Sequence, residues 1–388
     1  MSGLSFFIKV FECYVYKYKE ISKSFYVLTF EKKTIYFTNM TSPNIQPIER
    51  ESSKLEIAAE SSENSATNDS LPEVKKKIAS VSFSQYSMWL KCPMQWKLSY
   101  IDKLAPYESS INTVFGDAIH EPLQVYLECL YTKGSVEADA IDVHAIFTKK
   151  FEEGIQELSV ATDEQMLLTE EEREELGLIT QDDVTAFKQD GKNILDHVMS
   201  PTIRRKHFPS KVYEFVGVEL PLEIPIRGGK ILYKGYLDIV LRDKALDKIL
   251  ILDFKTSTYG WNKYQKVDRT KIDQLLLYKR FYHQMFKVPM DKIDVEFFVL
   301  KRRLYEDAKF PQDRIQRISP PDGKLSMRAV EQSFLEFING CFTPDGIHDK
   351  NATYMKNPEK ARKNCKYCIF KTLKSPDGEL YCNGKEGC

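Results

Sequence analysis

The 388-residue chain carries 56 basic and 56 acidic residues, a formal charge of zero. This excludes a histone-like protein that coats DNA through net charge, although a local basic groove fits inside a neutral total. Hydrophobic residues at 42% and charged residues at 29% are globular values, and a chain this long can bury a large core in one domain or two.

Residues 1–40 are rich in Tyr, Phe, Val and Ile and predict two or three short strands. The opening SFFIKVFECYVYKYKE does not read as a signal peptide, because Lys9 and Glu12 interrupt its apolar core. No apolar run approaches the ~20 residues of a membrane span, so a soluble, cytoplasmic protein is expected, in the host cytoplasm if the source is viral. Residues 41–78 are dominated by Ser, Glu, Asn, Thr and Pro and predict a disordered linker. Met40 stands at its start. A natural start at Met40 is one reading of the upstream residues, and a small N-terminal β-element is the other.

A folded domain is expected over residues 79–345. SFSQYSMWLKCPMQWKLSYIDKL predicts a helix with Ser84 as N-cap, and helices follow through VFGDAIHEPLQVYLECLY and HAIFTKKFEEGIQEL. TEEEREELGLI reads as an acidic, solvated helix, and DDVTAFKQDGKNILDHVMS as another helix. The period then changes to strands in KVYEFVGVELPLEIPI, KILYKGYLDIVLRD and KILILDFKTS. TKIDQLLLYKRFYHQMF returns to helical spacing, VEFFVLKRR to a strand, and MRAVEQSFLEFINGCF to a helix. This order predicts an α/β fold, a central mixed sheet flanked by helices. Residues 346–388 form a separate Cys-rich tail.

The chemistry sits on the strands. Asp253 and Lys255 are two apart and so face the same side of one strand, while Phe254 turns to the opposite, apolar side. If the two strands pair as a hairpin, Asp238 comes alongside Asp253. Two converging carboxylates form a hard oxygen site suited to Mg²⁺ or Mn²⁺. Such a cation polarises a scissile phosphate and lowers the pKa of an attacking water, and Lys255 supplies a positive group for the developing charge. Asp-x-Lys alone reads as a surface ion pair; its place at the end of the apolar ILILDFKTS strand, with a second Asp on the preceding strand, favours a site.

Four ordered motifs resemble the RecB-like branch of the PD-(D/E)XK nucleases, relatives of phage exonucleases and CRISPR-adaptation nucleases. They are Gly116 and His120 in GDAIH, Gly235 and Asp238 in GYLD, Asp253 and Lys255 in DFK, and Gln274 and Tyr278 in QLLLY. The resemblance spans roughly residues 81–388. It implies a restriction-endonuclease-like core and a metal-dependent DNA nuclease, an exonuclease by preference. His120, Asp238, Asp253 and the Phe254 carbonyl would be metal ligands, and Lys255 the catalytic lysine. Gln274 and Tyr278 would line the site, and Glu219 in GVELPL is a weaker candidate. The implied partners are DNA ends or single strands, and a helicase or recombination protein. The second reading is a catalytically silent nucleic-acid-binding or zinc-binding partner of a replication or recombination complex.

Four of the eight cysteines fall in the last 24 residues, as Cys365, Cys368, Cys382 and Cys388. Thiolates so spaced point to metal binding. The resemblance implies a [4Fe-4S] cluster held by Cys92 with three of these, although Cys382 stands farther from Cys368 than the family's pattern has it. A local zinc site made by the four tail cysteines is the alternative, and unmetallated thiols the bland one. Two stretches mixing aromatic and basic residues, WNKYQKVDRTK and VLKRRLYEDAKF, are expected near a DNA path.

Overall fold

The computed structural model describes residues 25–31, 34–40, 78–104, 109–162, 164–169, 178–356, 365, 368–371 and 373–382. The chain divides into two compact units, Met1–Glu73 and Val74–Cys388. In the first, β1 (Phe25–Glu31) and β2 (Thr34–Met40) form an antiparallel hairpin whose last pair is Glu31 opposite Thr34. The rest of the N-terminal segment, the linker as far as residue 77 and most of TEEEREELGLI lie outside the described residues.

The second unit opens with β3 (Ala79–Val81), α1 (Phe83–Lys91) and α2 (Pro93–Tyr100). The single helix expected here is two. Pro93 drives the preceding residue out of the helical region, and Cys92 is extended at φ −160°, ψ 109°. The N-cap position belongs to Ser82, not Ser84, which lies inside α1. The long α3 (Ile111–Thr132) starts where Ser110 accepts a hydrogen bond from the Thr113 amide. Then come α4 (Ser135–Asp139), α5 (Val143–Ile155), α6 (Gln181–Met199) and α7 (Pro201–His207). Thr180 and Asp183 close a reciprocal capping box on α6.

Strands β4 (Tyr213–Ile226), β5 (Ile231–Asp243) and β6 (Lys248–Ser257) follow, then α8 (Arg269–Phe286), β7 (Ile293–Lys301), β8 (Ile315–Ile318) and α9 (Lys324–Cys341). One six-stranded sheet results, ordered β3-β5-β6-β7-β8 with β4 also paired to β5. β4 is an edge strand, which is why it tolerates Pro221 and Pro225. β6 and β7 are central and parallel, and their near-continuous apolar runs are those of strands buried on both faces.

A core lies on each side of the sheet. α1, α2, α8 and α9 cover one face with residues such as Tyr86, Trp96, Leu276 and Phe337. α3, α5 and α6 cover the other with Phe115, Phe147, Phe151 and Phe187. This is the mixed sheet with helices on both faces of the restriction-endonuclease-like fold. The two short strands β3 and β8 add to the four that the sequence predicts. Past α9 the chain folds back, and Tyr354 stacks on Trp96 with ring centroids 5.8 Å apart.

Candidate active site

The geometry of the site begins with a notch in the sheet. Strand β5 pairs with β4 along one edge. On its other edge it pairs with β3 at residues 231–233 and with β6 at residues 239–243. Residues 234–238 therefore have no strand neighbour on that edge. The β5–β6 ladder ends at Ile239 opposite Leu252, and the next backbone donor on β6, the Phe254 amide, gives its hydrogen bond to Asp238 Oδ2 at 2.6 Å. A carboxylate thus takes the place of a strand carbonyl where the two strands part.

Alternation along β6 sets the remaining orientations. Leu250, Leu252 and Phe254 face α3, and Ile249 and Ile251 face α8. Asp253 and Lys255 continue the α8 side, as their spacing predicts. Lys255 Nζ stands 2.5 Å from Asp253 Oδ2, a buried atom that has no hydrogen bond of good geometry. From the other face, α3 brings the His120 ring edge-on to Phe254 with centroids 5.9 Å apart, and Nδ1 lies 3.6 Å from Asp238 Oδ1.

On α8, Gln274 Nε2 donates to Tyr278 Oη at 3.0 Å, one helical turn away. Gly235 allows the approach of this row to β5. A Cβ there would meet the rings of Tyr233 and Tyr278 at 3.2 Å each. At Gly116 a Cβ would lie 3.6 Å from Thr256 Oγ1, an ordinary contact, so space alone does not demand glycine at that position.

The electrostatics divide the two acids. Burial pushes the Asp253 carboxyl up to about 6; Lys255 opposes this and the Asp238 charge adds to it. Burial works on Asp238 as well, but His120, Lys255 and the Phe254 amide outweigh it and hold that carboxyl below its usual range. Desolvation lowers the His120 and Lys255 pKa values, yet their carboxylate partners raise both in balance. Two acids and two bases thus form a self-compensating cluster.

Glu219 joins this cluster. It lies between the pairs Val218–Ile239 and Leu220–Leu237, across from Asp238, with a left-handed φ of 45° that is uncommon for glutamate. Its carboxylate accepts a hydrogen bond from Gln124, one turn after His120 on α3. Burial raises its pKa, with Asp238 and Asp117 adding to the rise.

Three members were not singled out from sequence. Gln124 is signalled only by its four-residue spacing from His120, and Asp117 lies between the two motif residues of GDAIH. Tyr233 stands two residues before Gly235 on the same strand face. Its hydroxyl is fully buried with no hydrogen-bond partner, and the Asp253 charge acts on it.

The donor set fits a hard divalent cation: two carboxylates and an imidazole, with a buried Asp253 oxygen held by the Lys255 ion pair alone. Among the described residues, however, no three His, Cys, Asp or Glu side chains converge closely enough to cage a metal as they stand. Lys255 and His120 instead neutralise the acids.

The other expected residues lie elsewhere. Cys92 separates α1 from α2. In the tail the Cys368 amide donates to the Cys365 carbonyl, and the Cys382 amide returns to the Phe370 carbonyl, so one loop carries three cysteines. Cys388 lies outside the described residues. Trp261 and Arg302, from the two mixed aromatic and basic stretches, are buried. Trp261 packs on Phe297 with centroids 4.8 Å apart, and Arg302 lies 3.6 Å over the Phe187 ring.

A crystal structure of a protein from Eubacterium rectale, assigned as a candidate exonuclease, is similar at 12% identity and a TM-score of 0.39, over 71% of this chain and 86% of that one. No curated protein matches. The sequence model of the PD-(D/E)XK nuclease superfamily matches residues 80–373, a span that holds the notch and, but for Ala79, every strand of the large sheet. The chain belongs to the PD-(D/E)XK nuclease superfamily.

Proposed function

We propose that this protein is a Mg²⁺- or Mn²⁺-dependent deoxyribonuclease of the RecB-like branch that hydrolyses phosphodiester bonds, acting as an exonuclease. The observation that carries this reading is the notch. Asp238 is held there by the Phe254 amide, beside the buried, ion-paired Asp253 and Lys255. A divalent cation would supply Lewis-acid charge to the phosphate and acidify the attacking water. Asp238, Asp253, a neutral His120 nitrogen and the Phe254 carbonyl would hold it, with Glu219 near Asp238.

Lys255 then has a second task. Released from Asp253, its ammonium orients the water or stabilises the charge developing on phosphate. The Gln274–Tyr278 pair on α8 presents an amide and a phenol to the phosphate or the water. The cysteines Cys92, Cys365, Cys368, Cys382 and Cys388 hold a [4Fe-4S] cluster through four of their number, with zinc as the competing occupant, and take no part in cleavage.

The test is degradation of end-labelled linear single- and double-stranded DNA against covalently closed circles, with each metal and with chelator. Cleavage of linear DNA alone, with losses of about 10²–10³-fold in Lys255→Ala and full loss in Asp253→Ala, is expected. Equal cleavage by wild type and both variants would remove the enzyme reading. Cutting of closed circles would replace exonuclease by endonuclease.

A further inference from the structure

Beyond the end of β6 the chain exposes a pair of aromatic rings. Tyr259 and Tyr305 stack with centroids 4.6 Å apart and planes 12° from parallel, and both rings are open to solvent at 42% and 61%. Exposed tyrosines elsewhere on this surface, such as Tyr236, need no special account; two exposed rings from different segments stacked on each other do. The pair rests on pinned backbone. The Arg302 and Arg303 amides donate to the Ser257 and Thr258 carbonyls, extending the β6–β7 pairing past its last strand residues. Gln312 exchanges two hydrogen bonds with the Tyr305 main chain, at 3.0 and 2.6 Å. Gly260 makes the turn after Tyr259 at φ 92°, where a Cβ would press on Lys301 at 3.0 Å.

Position and charge say what such a platform meets. Tyr259 is four residues beyond Lys255, at most ~14 Å along the chain. Lys301, against Gly260, and Arg303, bonded through its amide to Thr258, lie beside it, and Arg303 is half exposed. Glu306 and Asp307 follow Tyr305 in the same loop, so charge alone gives little attraction here and the rings carry the binding. Aromatic faces beside basic groups hold the bases of single strands, because an unpaired base offers its π-face and a duplex does not.

We propose that Tyr259 and Tyr305 form a stacking platform for unpaired bases, which makes single-stranded DNA the preferred substrate and seats it a few nucleotides from the scissile bond. This rests on the nuclease reading for its meaning, but binding can be measured apart from cleavage. The full chain in chelator is titrated into a labelled single-stranded oligonucleotide carrying 2-aminopurine and into a blunt duplex.

Tyr259→Ala and Tyr305→Ala are expected to weaken single-strand binding about tenfold each and to abolish the 2-aminopurine quenching seen with wild type. The double change to Phe keeps both rings and both effects, and duplex binding stays constant. Single-strand binding by the Ala variants within twofold of wild type, an equal loss on duplex, or no single-strand binding by wild type would overturn the platform. If the DNA is never cut with added metal yet binding depends on the rings, the nuclease reading fails and the platform stands. If cleavage is normal and the rings are dispensable, the reverse holds.

Discussion

His207 is buried against the edge of Phe298, with ring centroids 5.4 Å apart, and neither of its nitrogens has a hydrogen-bond partner. Desolvation, helped by the Lys206 charge, lowers its pKa to about 4. The folded-state pKa is below the unfolded value of 6.5, so the unfolded chain binds the proton more readily. The stability this confers is complete above pH 6.5 and is lost as pH falls towards 4. A loss of about 2 kcal/mol between pH 7 and pH 5 follows from linkage. Urea unfolding at the two pH values should show a smaller difference in His207→Phe than in wild type; an unchanged difference would assign the acid sensitivity elsewhere. Asp253 is the converse case, a buried acid whose proton is held to about pH 6 by its surroundings.

At the scale of elements the notch depends on what does not pair. Gly235 lies in the stretch of β5 that has no strand neighbour on its β6 side, and Tyr278 of α8 leans into the space its missing side chain leaves. Gly235→Ala places a methyl 3.2 Å from two tyrosine rings. The overpacking is expected to cost about 1–3 kcal/mol and to displace the Gln274–Tyr278 pair, so the melting temperature and the cleavage rate should fall together. An active, fully stable Gly235→Ala enzyme would show that the α8 row is not part of the site.

Much of this was legible in the sequence. The period-2 spacing put Asp253 and Lys255 on one face and Phe254 on the other, and the structure sets His120 beside Asp238 and Gln274 beside Tyr278. The break at Cys92 is also readable from Pro93. Strands β3 and β8 were not legible, because three- and four-residue strands carry too short a pattern to register. Glu219 was only half legible: its left-handed φ stands where the β4–β5 ladder is interrupted between Val218 and Leu220, which no local pattern encodes. The fate of Trp261 and Arg302 was hidden for a related reason. Aromatic and basic residues intermixed look alike on a surface loop and in a cation–π core, and only the partners Phe297 and Phe187 decide.

Across the whole molecule, the start of the second unit and its tail are joined. Trp96 of α2 meets Phe342, His348 and Tyr354, and the Arg227 guanidinium between β4 and β5 donates to the Phe342 and Thr343 carbonyls. We propose that Cys92 and the tail cysteines add a metal staple to this closure. Protein purified without oxygen should be brown with a visible absorbance band, lost in Cys92→Ala along with several degrees of thermal stability. Colourless protein with one equivalent of zinc, retained in Cys92→Ala, would instead assign a local tail site. Metal-free protein would leave apolar packing alone to join the two regions. Among the described residues no helix is long and apolar enough to cross a membrane.

The parallel pairing of β3 with β5, Val81 beside Tyr233, also has a cost in time. At a synthesis rate of about 5–20 residues per second, the partner of Val81 leaves the ribosome some 8–30 s after Val81 itself. In that interval α1 to α7 are complete, yet the sheet that will cover their apolar faces does not exist. Phe115, Phe147, Phe151 and Phe187 can meanwhile cluster with one another through α3, α5 and α6. Tyr86 and Trp96 must wait for α9 and Phe337, more than two hundred residues downstream. The nascent chain therefore carries the apolar faces of α1 to α7 without their sheet for many seconds, the kind of exposure that favours aggregation.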